Sequence, residues 1–118
     1  MYMQLDKIFD PKTIAVIGAS DKKGSVGYAL MDNLINSQWP GVVFPVNVKH
    51  DHVHSIKAYN SVKEIPDKVD LAIIATPAVT VPEIIKQCGE AKIPGAVIIS
   101  AGFGEIGYEG ERLTKQIN

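Results

Sequence analysis

Four short apolar runs frame this chain: "TIAVIG" (residues 13–18), "VVFPVN" (42–47), "LAIIAT" (71–76) and "AVIISA" (96–101). They begin at positions 13, 42, 71 and 96, hence 29, 29 and 25 residues apart. Each is rich in Val, Ile and Ala without polar alternation, the pattern of strands buried on both faces. Between the first two, Val26, Leu30 and Leu34 recur at helical spacing, with Ala29 and Met31 beside them. Between the last two, Pro82 stands where a first-turn proline is tolerated, and Ile84, Ile85, Cys88 and Ala91 follow. Strands alternating with helices at this period build βαβ units. The expected fold class is therefore α/β, a Rossmann-like doubly wound parallel sheet with right-handed crossovers. The stretch from Val48 to Asp70 reads as a polar loop with a short helical turn at "SVKEIP", closed by Pro66. At the other end, "YEGERLTKQIN" starts a helix that no strand follows. Residues 1–118 are expected to form one domain, the N-terminal fragment of a longer multidomain chain.

Composition removes several function classes. The 118 residues are 46% hydrophobic, enough for one core, and the formal net charge of -1 offers no basic field for a nucleic acid. No apolar run approaches the roughly 20 residues of a membrane span. The opening "MYMQLDKIFDPK" lacks the apolar core of a secretory signal, and the single cysteine excludes an internal disulfide framework. A cytoplasmic protein is expected.

The first strand runs through "GASDKKGSVG" (residues 18–27) straight into a helix. Gly18 allows a tight exit from the strand. Gly24, Ser25 and Gly27 open the helix, where free backbone N–H groups and the helix dipole favour an anion, and Lys22 and Lys23 add charge. These glycines could instead serve only to turn the chain and let helix and strand pack closely. The strand–turn–helix context favours phosphate binding. The motif departs from a dinucleotide G-x-G-x-x-G: the glycine after Gly18 is Gly24, and the second strand ends in "FPVN" with Lys49 beyond it, not a carboxylate. A carboxylate there selects an unphosphorylated ribose, whereas an ammonium suits a ribose phosphate. NADP and coenzyme A both carry one.

The ordered set "IAVIGAS…GSVG", "FPVN.K", "SVKEIP..VDLAIIATPA..VPEII..CGE" and "AVIISAGFGE.G.EG" closely resembles the coenzyme A-binding domain of acyl-CoA synthetases (NDP-forming). That family includes ADP-forming acetyl-CoA synthetases and protein acetyltransferases on the same scaffold, and is more distantly similar to the alpha subunit of succinyl-CoA synthetase. The resemblance covers the chain from about Leu5 onward. By position it implies a first CoA-contacting turn at Gly18, Ser20, Asp21, Lys22 and Lys23, with Ser25 and Val26 at the helix start. It implies a basic contact at Lys49 beside Pro45 and Asn47, a third loop at Thr76, Pro77 and Ala78, and a fourth at Ser100, Ala101 and Gly102 near the pantetheine arm. Many relatives continue with proline after the asparagine, where this chain has Val48, so the path of the loop to Lys49 is open.

The resemblance also implies what is missing. In such enzymes a histidine in a following domain carries phosphate, and an ATP-grasp domain or subunit binds ATP or ADP. Neither segment lies in these residues. The segment alone is expected not to be catalytic, while the full-length relative is an acid–thiol ligase, oligomeric, with partners in its downstream domains or ATP-grasp subunit. Two other readings stand beside a CoA-binding ligase module: an NAD(P)-binding Rossmann domain, and a stand-alone CoA-sensing regulatory domain.

Other residues invite chemistry more weakly. "HDHVH" (50–54) suggests a metal, but without a second ligand cluster a solvated loop is expected. Cys88 reads as a buried small hydrophobe, since no histidine or asparagine partner is evident. Ser100 is not in a G-x-S-x-G elbow, so a ligand contact suits it better than nucleophilic attack. Glu105 and Glu109 read as solvated carboxylates, and Trp39 as a cover for the sheet edge or an interface.

Overall fold

The computed structural model describes residues 10–99. Its elements in chain order are β1 (Thr13–Ile17), α1 (Val26–Asn36), β2 (Val42–Val46), β3 (His52–Val53), β4 (Ile56–Lys57), β5 (Leu71–Ile74), α2 (Val81–Glu90) and β6 (Gly95–Ile98). Short 3-10 turns cover Val62–Glu64 and Ala78–Thr80. Four strands form a parallel sheet in the order β2-β1-β5-β6. The expected α/β Rossmann-like architecture is the one observed. β1, β2 and β5 each end a little before their apolar runs do, because the last residues of those runs already belong to the loops above the sheet.

Register explains how the helices sit. Ala15, Ala72 and Ala96 pair in a row across β1, β5 and β6, and Ile17, Ile74 and Ile98 form the next row on that face. The small row admits α2, whose Val81 and Cys88 complete this half of the core, with Ile84 and Ile85 packed against it. Val62 of the 3-10 turn and Val69 close the same side. On the opposite face Ile14, Val16 and Leu71 pack against Met31 of α1, with Leu30, Leu34 and Trp39 around it. Trp39 also donates from Nε1 to the Pro11 carbonyl at 3.0 Å, fixing the chain before β1.

The segment after β2 is more ordered than the sequence suggests. His50, Asp51 and His52 are exposed, as a solvated loop requires, but the end of "HDHVH" enters a small antiparallel hairpin in which His52 pairs with Lys57 and Val53 with Ile56. Val53 is 1% exposed and anchors the hairpin to the α1 face of the core. His54 and Ser55 make the turn with φ of 53° and 63°. The His54 ring lies 4.9 Å from that of Tyr28, and its Nε2 is buried without a hydrogen-bond partner. Val53, Ile56 and Ala58 pack into the same half of the core, and the histidines ride on that packing. The chain then returns alongside β2, where Tyr59 bridges Val46 in parallel and covers the sheet edge. The "SVKEIP" turn forms as expected, with Ser61 capping it by accepting from the Lys63 amide. The predicted C-terminal helix, the last residues of the fourth apolar run, Glu105 and Glu109 lie outside the described residues.

Candidate functional site: the crevice above the parallel sheet

The winding reverses between β1 and β5: β1 connects to β2 on one side, and the chain then crosses back to β5 on the other. Ligands of open parallel sheets sit at such a switch point, beyond the carboxyl ends of the strands. Two clefts meet there, sharing Gly18, Thr76 and Pro77.

Backbone contact explains why glycine stands at two positions of the turn. Gly18 has φ +93°, and a β-carbon on it would sit 2.5 Å from the Ala75 carbonyl oxygen. A β-carbon on Gly27 would run into the carbonyl of Gly18. The exits of β1 and β5 and the start of α1 are thus in direct main-chain contact, and close packing alone accounts for both glycines. What is left for a ligand is the open end of α1. Ser25 is its N-cap, with Oγ accepting from the Tyr28 amide at 3.1 Å and donating to the Lys22 carbonyl at 2.7 Å. The amides of Val26 and Gly27 in the first turn have no intrahelical acceptor, and that turn holds no acidic residue. The start of α2 is different: Pro82 has no N–H and Glu83 brings a carboxylate. Of the two helices that begin at this crevice, α1 offers the anion site.

The first cleft, about 620 Å³, opens between the loops after β1 and β2 and the cleft-facing side of α2. Its floor is apolar, from Ile17, Val46, Val62 and Ile84. Lys22 and Lys49 stand on the β-loop wall, with Glu83 and Gln87 on the helix wall. The second cleft, about 530 Å³, runs along Gly24, Ser25, Val26 and Gly27 to Ala78 and Ile99.

Of the residues singled out in the sequence, Gly18, Ser20, Lys22, Asn47, Lys49, Thr76 and Pro77 border the first cleft. Ser25, Val26 and Ala78 border the second. Lys23 borders neither of these two clefts. Pro45 is fully buried in β2 and also lies away from both. The Asp21 carboxylate accepts from the His54 amide at 2.8 Å, tying the glycine turn to the hairpin. Asn47 spends its side chain on the scaffold: Nδ2 donates to the Ala19 carbonyl at 2.9 Å, and Oδ1 accepts from the amides of Lys49 at 2.8 Å and His50 at 2.9 Å. This Asn turn, not a proline, sets the path to Lys49; Val48 is 79% exposed at the cleft. Ser100, Ala101 and Gly102 lie outside the described residues.

The sequence reading missed the helix wall. Thr80, Glu83, Ile84 and Gln87 border the cleft at helical spacing, a polar stripe beside the core-facing one that was legible as a periodicity but not as a site. The Thr80 hydroxyl lies 2.7 Å from both the Thr76 hydroxyl oxygen and the Pro77 carbonyl, holding the loop after β5 in its turn. Cys88 is fully buried, and burial pushes its thiol up to about 12, away from nucleophilic chemistry. Among the described residues no three His, Cys, Asp or Glu side chains converge as a metal site, and no helix is long and apolar enough to cross a membrane.

A family model described as a CoA binding domain matches residues 12–114. The chain belongs to the CoA binding domain family. The domain is 45% identical to the alpha subunit of acetate–CoA ligase [ADP-forming] I of Pyrococcus furiosus, covering 98% of this chain and 26% of that one. It is 50% identical to the alpha subunit of the second such ligase of that organism, covering 96% and 24%. Its backbone superposes on the apo form of the dinucleotide forming acetyl-coenzyme A synthetase 1 of Ca. Korarchaeum cryptofilum with a TM-score of 0.81 at 37% identity, over 96% of this chain and 24% of that one. The domain thus spans about a quarter of the length of these relatives.

Proposed function

We propose that this domain binds coenzyme A across the switch point, as the CoA-binding module of an ADP-forming acid–CoA ligase of the acetyl-CoA synthetase type. The observation that carries this reading is the pair of clefts joined at Gly18, Thr76 and Pro77, with lysines at one end and free helix amides beyond the junction. The 3′-phosphate of the ribose goes to Lys49 and Lys22, and the nucleoside covers the apolar floor of the first cleft. The pyrophosphate meets the amides of Val26 and Gly27. The pantetheine arm follows the second cleft past Ala78 and Ile99 toward Ser100, Ala101 and Gly102. Ser20 and Asn47 shape the loops that hold the lysines, as do Asp21 and Pro45, and Lys23 contributes charge at a distance.

The domain supplies binding and orientation in this scheme, not the acyl transfer. The phosphate-carrying histidine and the ATP/ADP site belong to other domains or an ATP-grasp subunit of the same oligomeric cytoplasmic enzyme. The names of the ligase relatives, ADP-forming and written as alpha subunits, support an ADP site and a further subunit in such enzymes.

Titration calorimetry with CoA, dephospho-CoA, NAD and NADP tests the reading. CoA should bind most tightly; tighter binding of NAD or NADP would replace it with a nicotinamide-dinucleotide domain. Lys49→Ala should weaken CoA by roughly three- to tenfold, a reduced effect because the side chain is exposed and screened. Dephospho-CoA should be nearly unaffected. Equal losses for both ligands would remove Lys49 from phosphate recognition.

A further inference from the structure

On the wall opposite the lysines, the first cleft presents an ordered pair of polar side chains that phosphate recognition does not use. Glu83 and Gln87 stand one helical turn apart on α2 and both border the cleft. The Ser61 hydroxyl donates to Gln87 Oε1 at 3.2 Å, while Ser61 Oγ accepts from the Lys63 amide. This contact orients the Gln87 amide, turning Nε2 toward Glu83. Nε2 donates to Glu83 Oε2 at 3.5 Å, a long and weak hydrogen bond that leaves both groups able to bond a ligand. The wall therefore shows the cleft an acceptor, the Glu83 carboxylate, beside an oriented donor, the Gln87 amide. The apolar side chains of Ile84 and Val62 lie next to them.

We infer that Glu83 and Gln87 read the edge of the ligand's base, selecting a 6-amino purine. This inference rests on the CoA-binding reading above. Adenine presents an exocyclic amine, a donor, beside ring N1, an acceptor; that order complements carboxylate and amide. Hypoxanthine presents a carbonyl beside an N1–H, the reverse order, and sets its carbonyl against the carboxylate. Phosphate is kept from this wall by Glu83 and by the missing N–H of Pro82, so the base lies on α2 and the ribose phosphate on Lys22 and Lys49. Gln87 and Glu83 contact the base, and Ser61 is a positioning residue acting through Gln87.

The test is calorimetry on the 118-residue chain with adenosine 3′,5′-bisphosphate and inosine 3′,5′-bisphosphate, together with CoA. The wild type should prefer the adenosine compound by roughly tenfold to a hundredfold, the range of one charge-assisted hydrogen bond kept or lost. Glu83→Gln should narrow that preference to about threefold or less, because its amide also donates to the hypoxanthine carbonyl. Glu83→Ala should weaken the adenosine compound and leave the inosine compound unchanged or tighter. CoA binding by the wild type with no base preference, or with the same preference in both variants, overturns the inference alone. Variants that weaken both nucleotides equally overturn it too, since that is how a purely structural role would look. A wild type that binds no CoA overturns the CoA reading and this inference with it.

Discussion

Removing the side chain of Asn47 takes three hydrogen bonds out of the rim of the first cleft at once, and their unequal burial sets the cost. Ala19 is 0% exposed, so its carbonyl has no water to replace the Asn47 Nδ2 donor at 2.9 Å. A buried acceptor left alone costs about 1–3 kcal/mol. The amides of Lys49 and His50, bonded to Oδ1 at 2.8 and 2.9 Å, belong to exposed residues and recover water. Their loss is worth about 0.5 kcal/mol each, the low end for a net hydrogen bond. Asn47→Ala should therefore destabilise the domain by about 2–4 kcal/mol, or roughly 10–20 °C in melting temperature for a domain near 100 residues. Guanidinium unfolding followed by circular dichroism measures it. Asn47→Asp isolates the buried bond: both amides keep an acceptor, while the Ala19 carbonyl now faces another acceptor. It should lose most of the stability that the alanine variant loses. An Asn47→Asp protein as stable as the wild type, or an alanine variant losing less than about 0.5 kcal/mol, would refute the assignment of the cost to the buried carbonyl.

Two further substitutions probe packing. Gly27→Ala drives a β-carbon into the Gly18 carbonyl, a main-chain atom that cannot turn aside, and should cost at least about 2 kcal/mol by chemical denaturation. Gly89→Ala on the exposed side of α2 meets nothing within 4 Å and should stabilise by about 0.5–1 kcal/mol, the opposite sign for the same chemical change. Cys88 supplies a pH test: its thiol is raised from 9.0 to about 12 by burial, so the unfolded chain ionises first and stability falls as pH climbs from 9 toward 12. The wild type minus Cys88→Ala difference should slope downward there by about 1.4 kcal/mol per pH unit and be flat below pH 8; a flat difference throughout would contradict the burial.

The sheet was legible because its strands are buried on both faces, which leaves runs such as "LAIIAT" with no other use. The same runs conceal which residues share a face, and the alanine row that seats α2 appears only when register aligns Ala15, Ala72 and Ala96. The hairpin was not legible for a physical reason. Its strands are two residues each, too short for a period, and its turn uses His54 and Ser55 with positive φ where glycine or asparagine would have signalled it. What holds it is remote in sequence: the Asp21 carboxylate on the His54 amide, and Tyr28 against the His54 ring.

That remoteness bears on the site itself. The loop that carries Lys49 has no regular structure, and Val48 within it is almost free of contact. Its position comes from Asn47, whose main chain is held on both sides: its N–H donates to the Tyr59 carbonyl at 2.8 Å, and its carbonyl accepts from Asn60 Nδ2 at 3.0 Å. Asn47 Nδ2 then joins this assembly to the end of β1 through Ala19. The lysine is thus aimed by the hairpin's return strand and by the glycine turn together, so a change in either can move Lys49 without replacing it. A proline after the asparagine would stiffen this path locally by fixing φ, but it would contribute none of these links to neighbouring segments. The valine at position 48 therefore leaves the aim of Lys49 intact, because the hydrogen bonds of Asn47, not the residue that follows it, carry the constraint.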